Sequence, residues 1–308
     1  MKPAIQRLAE KLRSAGYGPK LAEGRALAPY TTFQIGGPAD LAVEADSVAE
    51  MAELWQLARA FDVPCLVLGR GSNVLVADAG VPGLVVLNRS TAWELSPTGH
   101  LRVASGMPLS DVARRTAAAG WAGLEWCIGI PGSVGGAVVG NAGAHGGYVG
   151  DVLVSATVLD HGEVRTLAAS ELGLGYRTSC FKAVPSGNGR PLILEAAFSL
   201  RPGDWAALNQ QMADWLQWRS ERHPKEPSAG SVFKRTAQYP AGFLIDQAGL
   251  KGRRRGDAQV SPKHANFIVN LGQARASDVR GLVEEIQEGV EARFGVRLEL
   301  EIELVGAW

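Results

Sequence analysis

Apolar positions recur with two periods along this chain, and the change from one to the other marks its organisation. Ile5, Leu8, Ala9 and Leu12 fall three and four positions apart, one face of a helix predicted over residues 2–15. A second helix is predicted to open at Ser47-Val48-Ala49-Glu50, where serine and glutamate can satisfy the first free amides reciprocally, and to run to about Phe61. The run Val63-Pro64-Cys65-Leu66-Val67-Leu68 is too short for a helix and reads as a buried strand, as does Gly83-Leu84-Val85-Val86-Leu87. The first quarter therefore reads as a small α/β unit.

From Leu101 to about Leu200 the pattern becomes strand-rich, with apolar runs at 101–104, 152–159 and 191–200 and one helix near 109–119. The turn Arg201-Pro202-Gly203-Asp204 marks a boundary, and Trp205 to Arg222 follows as an amphipathic helix. Residues 228–306 predict a strand, a helix at 241–248, an apolar strand from His264 to Val269, a helix from Ser277 to Phe294 and a last strand, 297–306. In that strand Leu298, Leu300, Ile302 and Leu304 share one face and Glu299, Glu301 and Glu303 the other, and spacing alone does not choose among the three carboxylates. The expected division is 1–88, 89–203 and 204–308, without repeats, low-complexity tracts or long linkers.

Composition narrows the functions this architecture serves. Lys+Arg 31 against Asp+Glu 31 leaves a formal net charge of +0, so no global field holds a nucleic acid. Cys65, Cys127 and Cys180 are odd in number and widely spaced, which fits reduced thiols in the cytoplasm. The five histidines form no His-Glu-x-x-His, and no metal site is expected. The charged N-terminus has no apolar core of signal-peptide length, and no run approaches the roughly 20 apolar residues of a membrane span. A soluble, cytoplasmic monomer without a membrane partner is expected.

Two glycine-rich stretches carry the first chemical signal: Gly69-Arg70-Gly71-Ser72-Asn73 and Gly129-Ile130-Pro131-Gly132-Ser133-Val134-Gly135-Gly136-Ala137. Glycine at such spacing lets backbone amides surround an anion that a Cβ would hold away, and two cradles suit two linked phosphates. Neither stretch has Rossmann spacing or a P-loop ending, so a nucleotide would be held by another fold; the first, taken singly, also reads as a tight turn. Ser231-x-x-Lys234 has the spacing of a penicillin-recognising acyl-enzyme, but it recurs at Ser179 and Lys182 and the partner Ser-Asp-Asn and Lys-Thr-Gly motifs are absent. A hydroxyl near a lysine or carboxylate can instead pass a proton to a carbanion. Arg177, after Tyr176, offers a planar fork for a carboxylate or enolate, with a surface ion pair as the plainer alternative. Arg253-Arg254-Arg255 reads as a solvated face, His264 as a satisfied strand-end histidine, and Trp215 and Trp218 as packing residues.

Taken in order, these clusters resemble the UDP-N-acetylenolpyruvoylglucosamine reductases, flavoproteins of bacterial peptidoglycan precursor synthesis. The resemblance runs from Thr31-Thr32-Phe33-Gln34-Ile35-Gly36-Gly37 through both glycine stretches, Asn141-Ala142-Gly143-Ala144, Tyr176-Arg177-Thr178-Ser179 and Ser228–Lys234. It continues through Ala241-Gly242-Phe243-Leu244-Ile245-Asp246, Gln259–Phe267 and the closing strand, nearly the whole chain. It implies an α+β fold: an FAD-binding unit of the vanillyl-alcohol-oxidase (PCMH) type in two α/β subdomains, and a C-terminal α+β domain for the UDP-sugar. It further implies FAD held by Gly69, Arg70, Gly71, Ser72, Asn73, Gly129, Ile130, Pro131, Gly132, Ser133, Gly135, Gly136, Ala137, Asn141 and Gly143. NADPH would reduce the flavin and leave in a ping-pong scheme, hydride would pass to the terminal enolpyruvyl carbon, and a proton would complete UDP-N-acetylmuramate.

By position in the family motifs, Arg177 matches the catalytic arginine, Ser231 the proton donor and Glu301 the catalytic glutamate, and Tyr176, Lys234, Lys263, His264 and Asn266 fall at substrate-binding positions. The chain departs from the family where Leu300 replaces a usual proline, Glu303 a frequent arginine and His145 a common tyrosine. No tyrosine occurs between Tyr176 and Tyr239, so the chain is similar to the shorter subclass without a tyrosine loop. A related FAD oxidase, a serine acyl-transferase and an inert nucleotide binder are the competing readings, and a yellow preparation separates the flavoproteins from the rest.

Overall fold

The computed structural model describes residues 2–187 and 189–308, and the chain divides into two compact units. One comprises the residues up to Gly24, 40–70 and 83–218; the other comprises 25–39, 71–82 and 219–308. Where the sequence suggests contiguous stretches ending at 88 and 203, the segments 25–39 and 71–82 join the C-terminal residues instead. The cause is packing: Val74–Val76 pairs in parallel with Glu303–Val305, and Phe33, Ile35 and Leu75 share one core with Phe233, Leu282 and Ile286.

In the first unit the helix Pro3–Leu12 buries Ile5, Leu8, Ala9 and Leu12, each leucine contributing about 1.5–3 kcal/mol. It ends before residue 15 in a π turn, Arg13–Tyr17, where Gly16 takes φ +93°. Ser47 caps the helix Val48–Ala60, its Oγ accepting the Glu50 amide at 3.1 Å, while the Glu50 carboxylate accepts the amide of Asp46 at 2.8 Å. A four-stranded sheet has the order Leu21–Ala26, Pro38–Ala45, Val81–Asn88, Cys65–Leu68, the last two parallel with Leu66 opposite Val85.

A five-stranded sheet follows, in the order Glu163–Ala168, Leu153–Asp160, Leu192–Ser199, His100–Ala104, Trp93–Leu95. A register shift where Thr157 and Val158 face Glu195 and Ile193 changes the parity of the strand Leu192–Ser199. Leu192 and Leu194 accordingly join the core of Leu8, Trp55 and Leu84, whereas Ile193, Ala196 and Phe198 join that of Leu109, Val112 and Phe181. One strand thus serves two cores within the unit.

The second unit holds a three-stranded antiparallel sheet, Arg254–Arg255, Ala258–Val260 and Ile268–Asn270, with the helices Ala241–Gln247 and Ala276–Phe294. Three sequence expectations change here. Residues 228–234 form no strand, only an isolated bridge between Phe233 and Leu300. The strand expected from His264 begins at Ile268, because His264–Phe267 is a turn in which the Phe267 amide donates to the His264 carbonyl at 2.9 Å. The strand expected over 297–306 is realised only as Glu303–Val305, since residues 299–301 bond to 232–234, Glu303–Val305 pairs with Val74–Val76, and the chain bends at Glu301 and Ile302 between the two partners. Among the described residues no helix is long and apolar enough to cross a membrane.

Candidate active site

In the first unit the parallel strand Cys65–Leu68 ends at Gly69, the place where open sheets with parallel strands present ligands. A Cβ on Gly69 would overlap the Oγ of Ser133, so the first glycine stretch lies directly against the second. The second stretch is pinned from behind: Leu109 donates to the Gly132 carbonyl at 3.0 Å, Val134 to that of Met107 at 3.0 Å and Gly135 to that of Ser105 at 2.8 Å. A Cβ on Gly135 would stand 2.9 Å from the Cβ of Ser105, closer than side chains tolerate. Gly129, at φ +71°, turns the chain into this arrangement, and the short helix Val134–Val139 leads away from it. The amides of Gly132 and Ser133 donate to no protein group among the described residues, leaving donors for an anion. Ile130 is half-buried and Pro131 exposed, while Gly136 is exposed and Ala137 buried within the short helix. A cradle that Cβ atoms would fill, backed by fixed carbonyls and fronted by free amides, fits a pyrophosphate.

Sequence reading missed the support beneath this cradle. The Asn88 Nδ2 donates to Ser105 Oγ at 2.9 Å, and Asn88 Oδ1 accepts the amide and hydroxyl of Ser90, all three residues being buried. The available signal was a polar residue closing the apolar run Leu84-Val85-Val86-Leu87-Asn88. The rest of the first glycine stretch belongs to the second unit, with Ser72 half-buried and Arg70 the exposed residue before the changeover. Gly71, at φ +60°, lies so close to the carbonyl of Tyr30 that only glycine fits. Asn73 uses its Nδ2 to hold the Glu301 carbonyl at 3.1 Å.

Arg177 is built into the first unit with unusual backbone geometry. Gly175 and Thr178 exchange amide–carbonyl bonds of 3.2 and 3.3 Å, and in the two-residue turn between them Arg177 takes φ +53°. A non-glycine residue there carries strain of order 1 kcal/mol, the kind of cost that persists at functional positions. Asn141 holds the turn, its Nδ2 donating to the Gly175 carbonyl at 2.9 Å and its Oδ1 accepting the Gly150 amide at 2.9 Å. The guanidinium donates through Nη2 to the Gly143 carbonyl at 2.8 Å and lies 5.5 Å from the centre of the exposed Tyr176 ring. Asn141 and Gly143, expected at the flavin, thus also bond to the arginine segment. Ser179 is buried, donating to the Val139 carbonyl at 2.6 Å, which makes it a structural hydroxyl.

The second unit holds Ser231, Glu301, Lys234, Lys263, His264 and Asn266. Asn266 is the organising residue. Its Oδ1 accepts the Phe233 amide at 3.0 Å, its Nδ2 donates to the Phe233 carbonyl at 2.9 Å and its own carbonyl accepts the Val232 amide at 2.8 Å. From the other side the Glu301 amide donates to the Val232 carbonyl at 2.8 Å and the Lys234 amide to the Glu299 carbonyl at 2.9 Å. Ser231 is therefore fixed at the end of a doubly clamped segment, half-buried, with its hydroxyl bonded to no protein group among the described residues. Gly230 before it, at φ +74°, borders open space.

Glu299 differs in environment from Glu301 and Glu303, which are both half-buried, and those two differ in their backbone partners. Glu299 is largely exposed and lies 3.3 Å from the Lys234 ammonium, whereas the half-buried Glu301 is the one whose backbone is joined to both Val232 and Asn73. With Lys234 engaged by Glu299, the serine–lysine acyl-enzyme geometry finds no support. Lys263 donates to the Ser220 carbonyl at 2.8 Å. His264 packs edge-on to Phe267 at 4.8 Å and to His223 at 5.8 Å. Burial first, then the nearby Lys251 ammonium, holds the His264 imidazole below the usual histidine range against a backbone bond that favours protonation. Its Nδ1 accepts the Asn266 amide at 3.2 Å, which requires that nitrogen to be unprotonated and accords with a neutral ring. Burial alone pushes the Cys65 thiol up to about 12, and it is the main cause for Cys127, also raised to about 12, so neither is a nucleophile.

Comparisons with known proteins place both halves. The model of the UDP-N-acetylenolpyruvoylglucosamine reductase C-terminal domain matches residues 222–305, and that of the FAD binding domain matches residues 39–168. The chain is 42% identical to the UDP-N-acetylenolpyruvoylglucosamine reductase of Synechococcus sp. (strain JA-3-3Ab), over 99% of this chain and 97% of that one. It is also 42% identical to UDP-N-acetylenolpyruvoylglucosamine reductase 2 of Symbiobacterium thermophilum, over 99% and 98%. The crystal structure of the Thermus caldophilus UDP-N-acetylenolpyruvylglucosamine reductase superposes with a TM-score of 0.78 at 37% identity, covering 93% of this chain and 98% of that one. The fold is accordingly the α+β, FAD-binding type expected from the resemblance. With 42% identity over 99% of its length and both domain models matched, the chain belongs to the UDP-N-acetylenolpyruvoylglucosamine reductase family of FAD-dependent oxidoreductases.

Proposed function

We propose that the chain reduces the enolpyruvyl ether of UDP-N-acetylglucosamine enolpyruvate to UDP-N-acetylmuramate, with NADPH as reductant and the two substrates reacting in turn. The two glycine stretches would hold FAD, which when bound would supply the two-electron relay from NADPH to the terminal carbon of the vinyl ether. Arg177 answers the charge that develops once the double bond is reduced, its planar fork being suited to the carboxylate and the enolate that forms on it. The strained turn and the Gly143 carbonyl support this role, because they fix the guanidinium before substrate arrives.

Ser231 gives its Oγ proton to the carbon bearing the carboxylate, which completes the lactyl ether. A serine is a weak acid, so the resulting alkoxide must be reprotonated at once, and Glu301 serves that relay or orients the intermediate. Tyr176, Lys234, Lys263 and His264 contribute to binding the sugar nucleotide, and Asn266 acts on Ser231 by holding Val232 and Phe233 in place. Fixation of Ser231 between Asn266 and the Glu301 segment, with its hydroxyl left free, is the observation that carries the reading.

Replacing Ser231 by alanine tests it in the two half-reactions. NADPH should still bleach the flavin, while reoxidation by the enolpyruvyl substrate slows about 10²–10⁴-fold. Equal slowing of both steps would assign the serine to binding or folding instead. Double-reciprocal plots that intersect rather than run parallel would remove the alternating scheme.

A further inference from the structure

Arg177 is held by a hairpin, and the tip of that hairpin is itself held by something the proposed chemistry does not use. Gly143–Ala144 pairs antiparallel with Gly147–Tyr148, which leaves His145 and Gly146 as the two turn residues, at φ +53° and +87°. Positive φ at both places is the tight hairpin turn that selects Asn-Gly. Asparagine suits the backbone at the first place better than histidine, and what histidine adds there is its ring. The imidazole stacks on Trp215 at 4.8 Å with an interplanar angle of 12° and meets Trp218 edge-on at 5.3 Å and 83°. Both tryptophans come from the helix Trp205–Arg222, and Trp218 is 41% exposed. The hairpin strands are close-packed as well: a Cβ on Gly147 would overlap the Trp126 ring, and one on Gly143 would overlap the ring of its cross-strand partner Tyr148.

We propose that His145 is a positioning residue for Arg177. The helix grips the hairpin tip through the two tryptophans, and the hairpin base presents the Gly143 carbonyl to Nη2 of the arginine. Without the ring the tip is released, the carbonyl loses its fixed place and the guanidinium samples other orientations. Misplacement of a charged group by an ångström is enough to slow the step it serves. Because it rests on the reading that Arg177 acts only after the flavin is reduced, the proposal predicts a loss confined to one half-reaction.

His145→Asn separates ring from turn, since asparagine suits the backbone better than histidine yet cannot stack. It should slow reoxidation of the reduced flavin by the enolpyruvyl substrate about 10–100-fold and leave NADPH bleaching within about twofold. His145→Phe keeps a flat ring and should restore most of the rate. Arg177→Ala should be slower than either variant in the same half-reaction, and adding His145→Asn to it should cost nothing more. Multiplicative losses in that double variant, a His145→Asn enzyme at the wild-type rate, or equal slowing of both half-reactions would each overturn the proposal. If Arg177→Ala itself reoxidised normally, the reading of the arginine would fail first, and with it any role for a residue that positions it.

Discussion

The two units solve the same problem, holding irregular backbone still around a site, by different means. At the glycine stretches of the first unit backbone fixes backbone: they are pinned by the carbonyls of Met107 and Ser105 and by contacts that exclude a Cβ, while Asn141 holds the Arg177 turn. In the second, side-chain amides and carboxylates from distant positions do the fixing. Asn73 reaches Glu301, Asn266 clamps Phe233, Asn270 donates to the Phe33 carbonyl at 3.1 Å, and Asp78 accepts the first amides of the helix Ala276–Phe294. A pyrophosphate is met by repeated identical donors, which backbone supplies. The proposed proton donor and its carboxylate would have to be registered individually, and long-range side-chain bonds can do that.

Asn266→Ala offers the most severe test of this contrast. It strands the amide and carbonyl of Phe233 in a buried place, each worth about 1–3 kcal/mol, so a loss of about 3 kcal/mol or more is expected in urea unfolding followed by tryptophan fluorescence. Asn266→Asp keeps an acceptor for the amide but sets a carboxylate against the carbonyl, and should recover only part of the loss. Flavin retention, for which the proposed pyrophosphate cradle at Gly69 and 129–137 lies in the first unit, should hardly change in native buffer. A flavin-free Asn266→Ala protein would mean that the two fixing schemes are not separable.

Gly135→Val reverses the roles. The new Cβ meets Ser105 at 2.9 Å, with Ser105 bonded to Asn88 beneath it, so overpacking should cost about 1–3 kcal/mol. The distortion falls on the cradle, and the purified variant should lose its yellow colour on gel filtration while keeping its far-ultraviolet circular dichroism. Tight FAD binding by the variant would show that the pinned backbone is not what shapes the cradle.

The same contrast explains how far the sequence could be read. Glycine spacing marked two stretches that meet at Gly69 and Ser133, and apolar periodicity marked the helices Val48–Ala60, Leu109–Ala118 and Trp205–Arg222 and the core strands, because each depends on neighbours within a few positions. The strict alternation of Leu298–Leu304 predicted one strand, yet only Glu303–Val305 forms, since its partners 232–234 and 74–76 lie far away in sequence and draw the chain in two directions. For the same reason the exchange of 25–39 and 71–82 between units leaves no local trace. Asn73, Asn88, Asn266 and Asp78 act on backbone 2 to 228 positions away, and single-chain periodicity carries no information about such bonds.

Asp78 gives the mildest test, and one that pH can read. Its Oδ1 accepts the Ala276 amide at 2.7 Å and its Oδ2 that of Ser277 at 3.0 Å, so a carboxylate from outside the helix caps it. Partial burial raises its pKa, but the Ser277 hydroxyl, these two amides and the Arg275 charge outweigh that and hold the carboxyl below its ordinary 3.8. A group whose folded value is depressed stabilises fully above its unfolded value and loses that contribution as pH falls through the folded one. Asp78→Ala should therefore cost about 1 kcal/mol at neutral pH, the worth of a helix cap, with the difference from wild type shrinking below pH 3.8. Thermal melts at pH 7 and pH 3 read both predictions. An unchanged gap at the lower pH would mean that the side chain packs rather than caps, and that the second unit relies less on charged long-range bonds than the contrast with the first requires.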